Sequence, residues 1–206
     1  MNIAGLLLSF GLLLIAMTVH EFAHGWIAYR LGDTTAKYSG RLTLNPLAHI
    51  DPIGTVVLPL LLFISTGGRF VFGAAKPVPI NYWNFKHPRR DIMLVGAAGP
   101  MANFIFAVLL SLLAKFFHLP ELLNIIFQQL IIINVVLGVF NLIPIPPLDG
   151  SRIMAGLLPP GLSYRYSAIE PYGFFIILLL VGLGTLNFVI WPIVNFILVF
   201  LIGSMG

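Results

Sequence analysis

Two histidines and a glutamate, in His20-Glu21-Phe22-Ala23-His24, lie near the end of an almost uninterrupted apolar run that begins at Ile3. Ionisable groups inside an apolar span are expensive and mark a functional site by default. On a helix, residues four apart share a face, so both imidazoles reach one metal ion. Glu21 follows the first of them, where a carboxylate takes a proton from water activated by that metal. H-E-x-x-H is thus two zinc ligands and a general base on one helical turn. The plain alternative is two unrelated histidines and a snorkelling glutamate. The cost of placing them in an apolar span weighs against it.

Only 9% of the 206 residues are charged and 59% are hydrophobic, whereas a soluble domain carries about 25% charged residues. The principal solvent of such a chain is lipid. The expected fold is an all-α polytopic membrane protein with about five to six hydrophobic helices, and a short re-entrant or extended segment between the first two core spans. A single membrane domain is expected over 1–206, with its core motifs in 20–150 and C-terminal hydrophobic helices in 172–204. The excess of 11 Lys and Arg over 7 Asp and Glu reports basic loops on one side of a membrane, not nucleic acid. With no cysteine in the chain, a metal must be held by His, Asp or Glu. The N-terminal apolar run is too long for a signal-peptide core and carries the metal motif, so it is expected to be retained.

Ile3 to about Tyr29 is long enough to span a bilayer with some tilt, and Arg30 marks its exit. Counting back along a helix puts His24 about 9 Å and His20 about 15 Å below that surface. Residues 32–51 carry the turn signals Gly32-Asp33, Gly40-Arg41, Asn45-Pro46 and Asp51-Pro52. His49 and Asp51 are candidates for further metal ligands, although polar loop residues are ordinarily solvated or capping. Asp51 before Pro52 reads as a helix N-cap. The apolar run 53–66 is short for a span and typical of a re-entrant or interfacial segment. Prolines extend the stretch 69–80. Lys86, His87, Arg89 and Arg90 suit anionic headgroups.

Ile92 to Phe116 is the second clear span. Gly96 and Gly99 let another backbone approach closely. Asn103 either hydrogen-bonds across helices or lines the site as a substrate contact. Leu122 to Ile143 is the third span. It runs into Pro144, Pro146 and Pro147, which cannot continue a regular helix. Broken backbone at membrane depth needs cover from protein or a water-filled cavity. Asp149, just past the break, is either a metal ligand or an N-cap for residues 150–158. The need of two histidines for a third ligand favours the former. Arg152 and Arg165 are expected on the following loop. Residues 172–204 are too many for one span, with Asn187 and Pro192 suggesting the division.

Three motifs in order carry a family resemblance. His20-Glu21-Phe22-Ala23-His24 resembles the zinc motif of the site-2 protease family, the intramembrane metalloproteases. Gly99-Pro100-Met101-Ala102-Asn103 resembles its second core helix, and Asn141-Leu142-Ile143-Pro144-Ile145-Pro146-Pro147-Leu148-Asp149-Gly150 its third motif. The resemblance implies that Asp149 is the third ligand of one Zn2+ beside His20 and His24, and that Glu21 is the catalytic base. It implies that Asn141 helps position the substrate backbone or the oxyanion. It also implies a zinc metalloendopeptidase that cuts within or near transmembrane segments of membrane-protein substrates. The short turn between Phe116 and Leu122 leaves no room for the PDZ insertion that some members carry there. No CBS-like tail is evident, so a minimal member is expected.

A helical peptide bond is shielded, so a transmembrane substrate must unwind locally, and the stretch 69–80 could take it up as an added strand. Two readings from other classes compete. An inactive zinc-binding scaffold would not need Glu21. A metal transporter fits the broken helices and buried charge, but transit does not call for a base beside the metal. If residues 53–74 dip in and return, ten of the 11 Lys and Arg residues share one side and only Lys115 lies opposite. A complete crossing there divides them nearly evenly. Basic short loops favour the cytoplasm. The expectation is therefore a multi-pass protein of the cell membrane, with Met1 outside and the active site opening toward the cytoplasm. Its expected partners are transmembrane protein or peptide substrates and the lipid bilayer.

Overall fold

The computed structural model describes residues 3–57, 61, 64 and 75–203. Helix α1 (Ile3–Arg30) is apolar almost throughout. It stops where Gly32 adopts a left-handed φ of 109°, which lets the Asp33 N–H reach back to Ala28 O at 2.9 Å. This turn buries Asp33 completely. Its carboxylate accepts from the Thr35 N–H and hydroxyl at the start of α2 (Thr35–Tyr38), from the Asn81 N–H at 2.8 Å and from the Asn84 amide at 2.7 Å. Burial pushes the Asp33 pKa up, but these donors outweigh it and hold the group below the ordinary aspartate value. Asp33 thereby fastens residues 81–84 to the end of α1.

Helix α3 (Pro88–Phe116) starts with Pro88 in its first turn, and the Asp91 carboxylate accepts from the His87 N–H at 3.0 Å. Helix α4 (Glu121–Asn141) returns after a short turn. α1, α3 and α4 pack on one another and are each long and apolar enough to cross a membrane. Leu12, Ala107, Leu110, Leu130, Ile131 and Val135 fill their common interior. His20, His24, Asn103, Ser111 and Asn134 are buried too, while Ile105, Leu109, Leu112 and Phe116 of the same bundle face outward. Polar groups inside and large apolar groups outside are what lipid as solvent selects.

The chain breaks at 142–148 and resumes as α5 (Asp149–Leu157), which packs along α3. A β-carbon at Gly96 would lie 2.9 Å from that of Arg152, and one at Gly156 would lie 2.8 Å from Arg89 O. The Arg89 guanidinium donates to Leu158 O just past the end of α5. Helices α6 (Pro160–Ser167), α7 (Glu170–Gly182) and α8 (Thr185–Leu201) complete the chain. α6 and α7 together form a fourth candidate span, bent by 64°. Arg152 and Arg165, expected on a loop, therefore lie within α5 and α6. Glycine contacts with α3 stabilise a helix that the local Gly and Pro content conceals. The final apolar stretch divides at Gly184, φ 70°, and not at Asn187 or Pro192, both of which α8 contains. α8 packs on α4, and the Ser111 hydroxyl donates to Leu201 O at 2.7 Å. Every regular element among the described residues is helical.

Most of the expected re-entrant stretch, residues 58–60, 62–63 and 65–74, lies outside the described residues, as does the first part of 69–80. Its entry is ordered by Asp51, whose carboxylate accepts from the Gly54 N–H at 2.7 Å at the start of a helical turn over Pro52–Val57. Its two ends meet, because the Lys76 N–H donates to His49 O at 2.9 Å. A chain that rejoins itself at one point cannot have its two ends on opposite sides of a hydrocarbon core about 30 Å thick. The native chain has no cysteine. Single cysteines at the exposed positions Ser39 and Trp83 are expected to label from the same side of intact vesicles, and one at His118 from the other. Opposite-side labelling of Ser39 and Trp83 would overturn this arrangement.

Candidate active site

His20 and His24 sit one turn apart on α1 and face α3. Asp149 approaches them from the first turn of α5. All three are less than a tenth exposed. The two Nε2 atoms are 3.0 Å apart, and Asp149 Oδ2 lies 3.0 Å from one and 3.1 Å from the other. Small residues create this convergence. A β-carbon at Gly99 on α3 would lie 2.6 Å from His20 Nε2 and collide with His24 Nε2. One at Gly150 would meet Ile143 O at 2.6 Å, and one at Gly173 of α7 would strike Pro146 O. Glycine at 150 and 173 thus lets the broken backbone of 142–148 lie close against protein, and that backbone delivers Asp149.

The tautomers follow from the hydrogen bonds behind the rings. The Asn134 amide nitrogen donates to Leu130 O at 2.8 Å, so its oxygen accepts from Asn103 at 2.7 Å. The Asn103 nitrogen also donates to Ala16 O at 3.1 Å, which turns Asn103 Oδ1 toward His20 Nδ1 at 2.7 Å. His24 Nδ1 faces Val95 O, also at 2.7 Å. Both partners are acceptors, so both Nδ1 atoms carry the proton. Both Nε2 lone pairs then point at each other and at a carboxylate oxygen. Three electron-pair donors so close need a cation among them. Two neutral imidazoles backed by hydrogen bonds and one carboxylate are a donor set suited to catalytic zinc. Among the described residues this is the sole group of three or more His, Cys, Asp or Glu side chains arranged to hold a metal.

The other candidates have separate places. The half-buried Glu21 has its Oε2 on the Val78 N–H at 2.8 Å. Asn141 spends one amide hydrogen on Leu137 O, one turn back in α4, at 2.9 Å. Asn103 is wholly buried and uses both ends of its amide as described. His49 is also wholly buried, with Nε2–H donating to Thr43 O at 2.9 Å, and is not among the converging ligands. A cavity of about 250 Å³ opens beside the helix that carries Asp149, lined by Tyr82, Arg89, Pro146, Arg152 and Tyr166 among others, but none of the three converging residues lines it. Sequence reasoning missed Asn134 and the Val78 N–H. Asn134 carried a usable signal, since an amide set in the apolar run Leu130–Val139 of a lipid-spanning helix is costly. The Val78 donor is a backbone group and belongs to no side-chain motif.

Comparison with known proteins agrees with this centre. The model of peptidase family M50 matches residues 8–126 and 118–181. YwhC of Bacillus subtilis, provisionally named a zinc metalloprotease, is 41% identical over 192 residues, covering 89% of this chain and 84% of that protein. Rip2 of Mycolicibacterium smegmatis, named in the same provisional way, is 33% identical over 178 residues, 84% of this chain and 66% of its own length. The regulator of sigma-E protease RseP of Salmonella typhimurium is 29% identical over 110 residues, 52% of this chain and 24% of that protein. No solved structure gives a significant match. The chain belongs to peptidase family M50, the site-2 protease family of membrane zinc metalloproteases.

Proposed function

We propose that this metalloprotease hydrolyses peptide bonds within or near the transmembrane segments of membrane-protein substrates, from a site opening toward the cytoplasm. The observation that carries the reading is the meeting of His20 Nε2, His24 Nε2 and Asp149 Oδ2 within 3.1 Å, with both Nδ1 protons committed elsewhere. These three residues would hold one Zn2+. When bound, zinc supplies a Lewis acid for the scissile carbonyl and acidifies a coordinated water. Glu21 takes the proton of the attacking water and delivers it to the leaving amine. Asn103 orients His20; with both ends of its amide occupied, it is a positioning residue in this reading and not a substrate contact. Asn141 keeps one amide hydrogen for the substrate backbone or the oxyanion. Residues 75–80, tied to Glu21 through the Val78 N–H, are the stretch that would take up an unwound substrate as an added strand. The charge partition supports cytoplasmic opening, and the whole chain acts as one membrane domain.

The direct test is incubation of purified protein with a panel of single-span membrane peptides. Zinc-dependent cleavage, abolished by a chelator and mapped to an intramembrane or juxtamembrane bond, is expected; cleavage that survives chelation would sink the proposal. Glu21→Gln should lower turnover about 10²- to 10⁴-fold while the chain keeps its zinc. Loss of metal along with activity would move Glu21 among the ligands. Gly99→Ala should lower zinc per chain and activity together, because its methyl group takes the space of both imidazole nitrogens. An alanine variant with full zinc would contradict that packing argument. Asn141→Ala should cost about 10²- to 10³-fold in rate with metal content unchanged. Wild-type turnover would leave Asn141 no role beyond its own helix.

A further inference from the structure

We propose that the backbone N–H of Val78 is a positioning group for Glu21, and that residues 76–81 form a strap built to hold it there. This rests on the assignment of Glu21 as general base. Val78 N–H donates to Glu21 Oε2 at 2.8 Å. Pro77 and Pro79 flank it and have no N–H. Val78 is therefore the one donor on three successive residues, and a slip by one residue in either direction would leave the carboxylate without it. The prolines also hold residues 76 and 78 in extended conformations, so the donor's direction is set before Glu21 arrives.

The strap is seated at several points. The Val78 side chain is 6% exposed and fills the space that Gly25 leaves; a β-carbon at Gly25 would lie 3.0 Å from Val78 Cγ1. Gly25 is one helical turn beyond Glu21, so the N–H and the side chain of one residue engage one face of α1. Upstream, the Lys76 N–H is fixed on His49 O at 2.9 Å. Downstream, the Asn81 N–H is fixed on the buried Asp33 carboxylate at 2.8 Å. With Oε2 held by an immobile donor, Glu21 keeps Oε1 free to exchange protons with water and the leaving amine. A freely rotating glutamate would present that oxygen in many orientations, most of them unproductive.

Val78→Pro removes the N–H and keeps the extended backbone that the neighbouring prolines already impose. Val78→Ala keeps the N–H and removes the packing on Gly25. On a single-span membrane peptide, with zinc per chain measured for each protein, Val78→Pro is expected to fall about 10- to 100-fold below Val78→Ala in kcat, at similar KM and equal zinc. Added to Glu21→Gln, Val78→Pro is expected to change the residual rate no further, since the two act through one carboxylate. Equal kcat for the two Val78 variants overturns the proposal, and so does an additive loss in the Glu21→Gln background. If Val78→Pro loses zinc or fails to fold, an amide-to-ester replacement at Val78, which exchanges only the N–H for oxygen, is read by the same comparison with the all-amide protein. A fully active Glu21→Gln protein would instead remove the base assignment, a failure distinct from an inactive Glu21→Gln beside an unaffected Val78→Pro.

Discussion

The structure depends on one requirement: in lipid, a buried polar group must find its partner inside the protein. The line Leu130 O, Asn134, Asn103, His20 meets it without a gap. Each amide has one orientation available because the amide behind it is already oriented. The direction of the line is set by a carbonyl of α4, and its far end sets the tautomer of an imidazole on α1. Three helices are thus joined by polar contacts that cost several kcal/mol apiece if left unmade in an apolar medium. The contacts that hold the bundle are the same ones that aim His20 Nε2.

The third ligand comes from a different device. Helices deliver side chains well from their flanks but poorly from their ends, and Asp149 must enter between α1 and α3 from beyond a helix end. The broken segment 142–148 accomplishes this by lying against Gly150 and Gly173, so its irregular backbone is covered by protein. Gly99 then removes the last obstacle between the histidines and α3. The glycines that matter here are at points of close approach, where any side chain would occupy the volume of a ligand or a carbonyl.

How much of this was legible in the sequence follows from the range of each interaction. The i, i+4 histidines and the proline break are local patterns, and local geometry places both. That Asp149 meets the histidines is a contact across 125 residues; a family resemblance could suggest it, but no periodicity contains it. Asn103 was visible as a costly amide in a span, yet its role depended on Asn134, an equally costly amide whose partner across 31 residues no local pattern reveals. Arg152 and Arg165 were misplaced on a loop because glycine and proline read as punctuation. In α5 the glycine is a packing surface for α3, and Pro160 opens α6. The division of the last stretch went to Gly184 because only a residue free to adopt positive φ turns a helix sharply there. Pro192 is exposed and lies inside α8 without ending it.

A hydrolase in lipid must also admit water to a centre that its own helices would keep dry. The two stretches of irregular backbone nearest the ligands are 75–80, which touches Glu21, and 142–148, which carries Asp149. Both are joined to chain on the same side: 76 to His49 and 81 to Asp33, and 148 to the helices α5 and α6 that bear Arg152 and Arg165. Non-helical backbone at membrane depth persists only where protein or water covers it. These stretches are therefore the parts of the fold near the ligands that protein or water must cover, where the continuous helices satisfy their own backbone. The other end of α1 is closed by packed apolar side chains, Leu12 among them.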